Sequence, residues 1–200
     1  PEDIEVHPKT GEIFVALTSN KKRGAPSAAN PRTGNIYGHI VTLVPPGGNH
    51  GAERFRWELF MACGDPVVDT DVFYPQHVSA QGWFTNPDNF AFDPDGNLWI
   101  ATDGMPKTKG VSDGLYAVAT QGPQRGLPRA FFYAPKGAEV CGPAFTPDGQ
   151  TLFLAIQHPG DDSGSTYDTP STRWPDFDPA LPPRPSVLAV TKKGGGKVGR

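Results

Sequence analysis

Asn86-Pro87-Asp88-Asn89-Phe90-Ala91-Phe92-Asp93-Pro94-Asp95-Gly96-Asn97-Leu98-Trp99-Ile100-Ala101-Thr102-Asp103-Gly104 is the stretch that decides the fold. Phe90 and Phe92 alternate with Asn89 and Ala91, the period of a strand with one apolar face. Asp93-Pro94-Asp95-Gly96 is a tight turn: Pro94 fixes φ, and Gly96 accepts the positive φ that closes a hairpin. Leu98, Trp99, Ile100 and Ala101 follow as a buried return strand. Asp88 and Asn89 stand at the mouth of the first strand. Two oxygen-bearing side chains there fit either of two roles, metal ligands or turn caps.

The same phrase recurs on both sides. Asp3-Ile4-Glu5-Val6-His7-Pro8 leads through Lys9-Thr10-Gly11 to Ile13-Phe14-Val15-Ala16. Gly142-Pro143-Ala144-Phe145-Thr146-Pro147-Asp148-Gly149 leads to Leu152-Phe153-Leu154-Ala155. Strand, Pro-and-Gly turn and apolar strand, repeated at irregular spacing, are the mark of β-propeller blades separated by insertions. Further strands fill the blades. His39–Val44 and Phe55–Ala62 read as the outer pair of the first, and Gly114–Val118 with Arg129–Ala134 as that of the second. Pro185–Thr191 is the last strand.

Composition agrees. Gly and Pro, at 24 and 23, make up nearly a quarter of the 200 residues. They break every helical window and suit many turns between short strands. The expected class is all-β: a single partial propeller domain over residues 1–200, about three blades of a larger ring. A ring of propeller blades closes with at least about four. Three blades leave open edges, so the rest of the propeller is an expected partner, and the sequence reads as part of a longer chain.

Charge and patterning exclude several function classes. A net charge of −3, with Lys21-Lys22-Arg23 and Lys192-Lys193 as the only basic runs, argues against nucleic acid as a partner. No apolar run is long enough to span a membrane. Cys63 and Cys141 lack metal-site spacing and read as two unpaired buried thiols, a disulfide between them being the alternative. There is no Gly-x-Ser-x-Gly elbow and no phosphate-binding glycine loop.

The candidate site is positional. Glu2, Asp88 and Glu139 each stand at the mouth of an inner strand. Inner strands of a propeller line one channel, so these acids converge near its axis. Converging carboxylates repel unless a cation neutralises them, and a hard ion such as Ca²⁺ is the natural occupant. Turn capping is the competing role for each. Asp65, Asp69 and Asp71 form a looser acidic set. His158, in Gln157-His158-Pro159-Gly160, follows an inner strand and either reaches the channel or braces a turn. Asn30, Asn35 and Tyr37 lie in a polar loop that either closes over the site or is exposed.

Several segments together resemble one family. They are Pro1-Glu2-Asp3-Ile4-Glu5-Val6, Asn86-Pro87-Asp88-Asn89 with Asp95-Gly96-Asn97-Leu98-Trp99, and Gly142-to-Gly149. Gln157-His158-Pro159-Gly160 and Ser171-Thr172-Arg173-Trp174-Pro175, ahead of Pro182-to-Ser186, complete the set. This sequence is similar to the C-terminal part of PhoX-type alkaline phosphatases over nearly its whole length. The resemblance implies an exported, periplasmic or secreted enzyme on a six-bladed propeller that hydrolyses phosphate monoesters with calcium and iron (Ca²⁺ and Fe³⁺) at the channel mouth. It implies metal-ligand roles for Glu2 and Asp88, and less directly for Glu139. The family's phosphate-facing arginine falls immediately before Pro1, and its iron-binding cysteine corresponds to neither Cys63 nor Cys141. The stretch on its own is therefore expected to be inactive. The alternatives are a calcium-dependent lactonase-like propeller hydrolase and a non-catalytic propeller scaffold.

Overall fold

The Asp93–Gly96 turn closes a hairpin, as its chemistry predicts: the Gly96 N–H donates to the Asp93 carbonyl, and Gly96 sits at φ 91°. The computed structural model describes residues 1–200. Its strands are β1 (Ile4–Val6), β2 (Ile13–Leu17), β3 (His39–Val44), β4 (Arg56–Ala62), β5 (Pro87–Phe92) and β6 (Leu98–Thr102). They continue with β7 (Gly114–Val118), β8 (Pro128–Tyr133), β9 (Glu139–Phe145), β10 (Thr151–Gln157) and β11 (Ser186–Thr191). All pairings are antiparallel between chain neighbours, giving sheets β1-β2-β3-β4, β5-β6-β7-β8 and β9-β10-β11. The chain is all-β and forms part of a propeller, with β1, β5 and β9 as the inner strands. The third sheet has three strands here rather than four. The one α-helical element is the single turn α1 (Met105–Thr108). No helix is long and apolar enough to cross a membrane.

The central blade is apolar on both faces because it is packed on both faces. Along β6, Leu98 and Ile100 enter a core with Phe14, Ile40, Phe60 and Phe84 from the first-blade side. Trp99 and Ala101 enter a second core with Val140, Leu152, Leu154 and Ile156 of the third blade. Every residue of β6 is buried, which is why it reads as a continuous apolar run rather than an alternation. Each large side chain buried this way contributes about 1.5–3 kcal/mol. The outermost sheets alternate instead: Phe14 and Ala16 are buried on β2, while Ile4 and Val6 of β1 and Phe153 and Val187 of β10 and β11 face solvent.

Connections at the two ends of the blades differ. At one end lie the links 7–12, 45–55, 93–97, 119–127 and 146–150. At the other, where the inner strands begin, lie 103–113, 134–138 and the three longest segments, 18–38, 63–86 and 158–185. Long loops gathered on one face of a rigid scaffold mark that face as the functional one.

Opposite that face, His7 fastens the first blade to the second. Its Nδ1 accepts from the Lys9 and Thr10 N–H groups at 3.1 Å, and its Nε2 donates to the Thr120 hydroxyl at 3.0 Å. Thr120 in turn donates to the Gly96 carbonyl. A Cβ at Gly96 would lie 2.9 Å from the His7 ring, so the central turn needs glycine for contact as well as for φ. Burial lowers the His7 pKa below its ordinary 6.5, so the folded chain holds it neutral.

His7→Ala leaves the Lys9 and Thr10 N–H groups without their acceptor and the buried Thr120 hydroxyl without its donor, and is expected to cost about 2 kcal/mol at pH 7. A group with a depressed folded pKa of this kind loses its contribution as pH falls through 6.5, because the unfolded chain takes up the proton first. Denaturant midpoints of parent and variant should therefore draw together between pH 7 and pH 5. A gap that widens on acidification would contradict the neutral, hydrogen-bonded assignment.

Candidate metal centre

Two inner strands carry irregularities where they meet the long-loop face. On β5 the pairing with β6 shifts between Pro87 and Phe90, and on β9 the pairing with β10 shifts between Cys141 and Ala144. Such bulges re-aim side chains. The Phe90 N–H is taken by the Asp3 carboxylate at 2.7 Å, which ties β1 to the β5 irregularity. The consequence is a cluster: carboxylate oxygens of Asp88, Asp103 and Glu139 all lie within 4.8 Å of one another.

Electrostatics mark this cluster as strained in charge. Burial, followed by the fields of Glu139, Glu2, Asp103 and Asp3, raises Asp88 from its ordinary 3.8 to about 7. Burial and Glu139 raise Asp103 as well, with His158 and Lys107 partly opposing. Two unit charges at 4 Å interact by about 4 kcal/mol near a protein surface, so three such charges are costly without a counter-ion.

Two of the three carboxylates are held by neighbouring side chains, and the third by its place in the backbone. The Asn89 Nδ2 donates to Asp88 Oδ1 at 2.9 Å. Glu139 receives the Cys141 thiol at 2.9 Å and Gln157 Nε2 at 2.8 Å, with His158 Nε2 3.4 Å away. Asp103 stands at the end of β6, where its N–H donates to the Asn86 carbonyl at 3.1 Å. The next turn is fixed by buried Asp113, which accepts from the Gly104 and Met105 N–H groups and the Thr102 hydroxyl. At His158 burial favours the neutral ring, but the Gly137 carbonyl and Glu139 outweigh it and raise the pKa. The Cys141 thiol is pushed up by burial first and by Glu139 next, so it stays protonated.

The structure brings Asp88 and Glu139 together. Glu2 is exposed just ahead of β1, and its charge is felt at Asp88, but it lies outside the three-carboxylate set. Asp103 was not singled out by sequence reasoning. The signal was partial: counted back from the Asp93–Gly96 turn, a regular hairpin sets Thr102 opposite Asp88 and so puts Asp103 one residue beyond, whereas the shift between Pro87 and Phe90 pairs Thr102 with Pro87 instead. His158 both braces a turn, through the Gly137 carbonyl, and reaches Glu139.

Other candidates have structural roles. Asn30 and Asn35 do not close over the cluster; they are buried around Arg32 and His39. Tyr37 donates to Asp69. Asp69 caps the Asp65 N–H, and Asp71 lies 3.1 Å from the buried Arg32 Nε, so the three aspartates do not form one cation site. Both cysteines are free; Cys63 is fully buried, with its thiol pushed up to about 12 by that burial, whereas Cys141 is only half-buried.

The donor set is all carboxylate oxygen, the chemistry of a hard cation, and Ca²⁺ fits it. Cys141, protonated and donating to Glu139, does not offer a thiolate.

Comparison with known proteins bears on this cluster. The family profile of alkaline phosphatase PhoX matches residues 1–160. The solved structure of Pseudomonas fluorescens PhoX in complex with vanadate, a transition state analogue, superposes with a TM-score of 0.84 at 36% identity. The match covers 100% of this chain and 34% of that one, so the chain spans about a third of the relative's length. No curated protein matches.

The raised Asp88 pKa has a direct consequence for the chelated protein. As pH rises from 3.8 to about 7 the unfolded chain ionises before the folded one, so stability is lost across that window and stays lost above it. Asp88→Asn in EDTA is expected to gain about 1–2 kcal/mol at pH 8, the full linkage value being reduced by solvent screening. That gain should shrink as pH falls toward 4, and millimolar Ca²⁺ should reverse the order by stabilising the parent. Thermal melts of the two proteins check both parts.

Proposed function

The chain belongs to the alkaline phosphatase PhoX family, and from that premise we propose that it supplies part of a metal-dependent phosphomonoesterase centre. The observation that supports this reading is the convergence of Asp88, Asp103 and Glu139 on the long-loop face of the propeller. In this reading Asp88, Asp103 and Glu139 hold Ca²⁺, and Glu2 joins them from the neighbouring inner strand. A cation held by these residues would supply neutralisation of phosphoryl oxygen charge and activation of an oxygen nucleophile.

The chain's own residues do the rest. Gln157 and His158 orient Glu139, and Asn89 orients Asp88. The long segments 103–113 and 158–185 border the cluster and shape access for a small phosphate ester. An iron ion, which the family resemblance implies, takes its thiolate from elsewhere, since Cys141 is occupied as a donor. We further propose that residues 1–200 belong to one propeller domain. Apolar Ile4, Val6 and Trp57 on one end sheet, with Phe153 and Val187 on the other, would be covered by further blades. Location outside the cytoplasm, periplasmic or secreted, follows from the same resemblance.

The full-length protein should hydrolyse p-nitrophenyl phosphate and leave a lactone substrate untouched. EDTA should abolish turnover and Ca²⁺ should restore it. Asp88→Asn and Glu139→Gln should each lower kcat/KM by about a hundredfold or more, the scale of losing a charged metal ligand. Undiminished turnover in both variants would refute the assignment of the cluster.

A further inference from the structure

We propose that Asn89 is a positioning residue that sets the separation of the Asp88 and Glu139 carboxylates. The inference rests on reading the cluster as a cation site. Inner strands of neighbouring blades share no ladder, so backbone pairing alone does not fix β5 against β9. The Asn89 side chain spans this gap. Its Nδ2 donates to Asp88 Oδ1 at 2.9 Å, and its Oδ1 accepts the Gly142 N–H at 3.1 Å. Only this orientation of the amide satisfies both partners, because a carboxylate accepts and a backbone N–H donates.

Both ends of the bridge are made available by the two irregularities. In a regular strand Asp88 and Asn89 would point to opposite faces. The shift between Pro87 and Phe90 lets both act at the channel mouth. On β9 the shift around Gly142, which sits at φ 51°, turns its N–H out of the ladder toward β5. Gly142 is followed by Pro143, which has no N–H to offer, so this donor is the link available at that point. Glu139 opens the same strand, and its own position is set by β10 through Gln157. One amide thus connects a ligand on one blade to the strand that carries a ligand on the next.

The test uses the full chain, with Ca²⁺ as the probe and two readouts. Calorimetric Ca²⁺ affinity of Asn89→Ala should fall by about 10–100-fold, the scale of losing an outer-shell partner. In an Asp88→Asn background the same substitution should change affinity by no more than about twofold, because Asn89 acts through Asp88. Amide exchange supplies a readout without metal: in EDTA the Gly142 N–H should exchange about fivefold faster or more in Asn89→Ala. If Asn89→Ala fails to fold, Asn89→Ser, too short to span both partners, takes its place in the same comparisons.

Tight Ca²⁺ binding that is indifferent to the substitution overturns the role of Asn89 while leaving the cation site standing. An equal loss in the Asp88→Asn background also overturns it, since the effect would then bypass Asp88. A parent chain that binds no Ca²⁺, yet keeps Gly142 protected through Asn89, sinks the cation reading itself. The bridge is then a strand-to-strand brace only.

Discussion

Like-charge repulsion is the constraint around which this face of the molecule is organised. Three carboxylates brought within 4.8 Å, two of them half-buried and Asp103 exposed, repel one another unless a counter-charge lies between them. The chain does not relieve the strain with an ion pair at Asp88, where the charges that act most strongly are those of further acids. It invests instead in holding the acids where they are. Asn89, Gln157, His158 and the Cys141 thiol bond to two of them, and Asp113 fixes the turn that follows the third. A surface acid that merely caps a turn needs no such shell.

The rest of the structure makes that arrangement rigid. The central hairpin carries two of the three acids, Asp88 on β5 and Asp103 just past the end of β6, and it is clamped between two cores. Leu98 and Ile100 lock it to the first blade; Trp99 and Ala101 lock it to the third. Any twist of this hairpin that would let Asp88 and Asp103 move away from Glu139 must disturb both cores. Close packing makes such motion expensive. At the far end the His7–Thr120–Gly96 chain of hydrogen bonds fixes the turn of the same hairpin. Asp88 and Asp103 are therefore carried by an element packed on both faces.

Much of this was legible from the residues. Pro94 and Gly96 announced the hairpin, and the doubled apolar character of Leu98-Trp99-Ile100-Ala101 announced a strand buried on both sides. Repetition of the motif placed Asp88 and Glu139 at equivalent positions, and the structure brings them together. What stayed hidden depended on pairing rather than repetition. Asp103 follows a strand instead of opening one, so comparing the repeats never selects it; only the register of the hairpin does. Asn30 and Asn35 were hidden for another reason. Polar loop residues read as exposed, and nothing local announces that a buried Arg32 gathers them inward. Cys141 likewise alternates like a core residue, yet it points at the cluster as a hydrogen-bond donor.

Glu2 separates two ways of building a site. Equivalent positions on a repeated motif converge only as closely as the inner strands do, and Glu2 remains on the rim, acting on Asp88 through its field. Asp88 and Glu139 come closer because both of their strands are irregular at the mouth, and Asp103 because it is a hairpin neighbour. Symmetry therefore gives the approximate address of the centre, and departures from symmetry bring the oxygens within ligand distance of a common ion. The short strand β1 has no such irregularity, and its mouth acid is the one left outside. By this logic, ligands to a shared cation in a propeller channel are to be sought where an inner strand breaks register, not simply where an acid recurs.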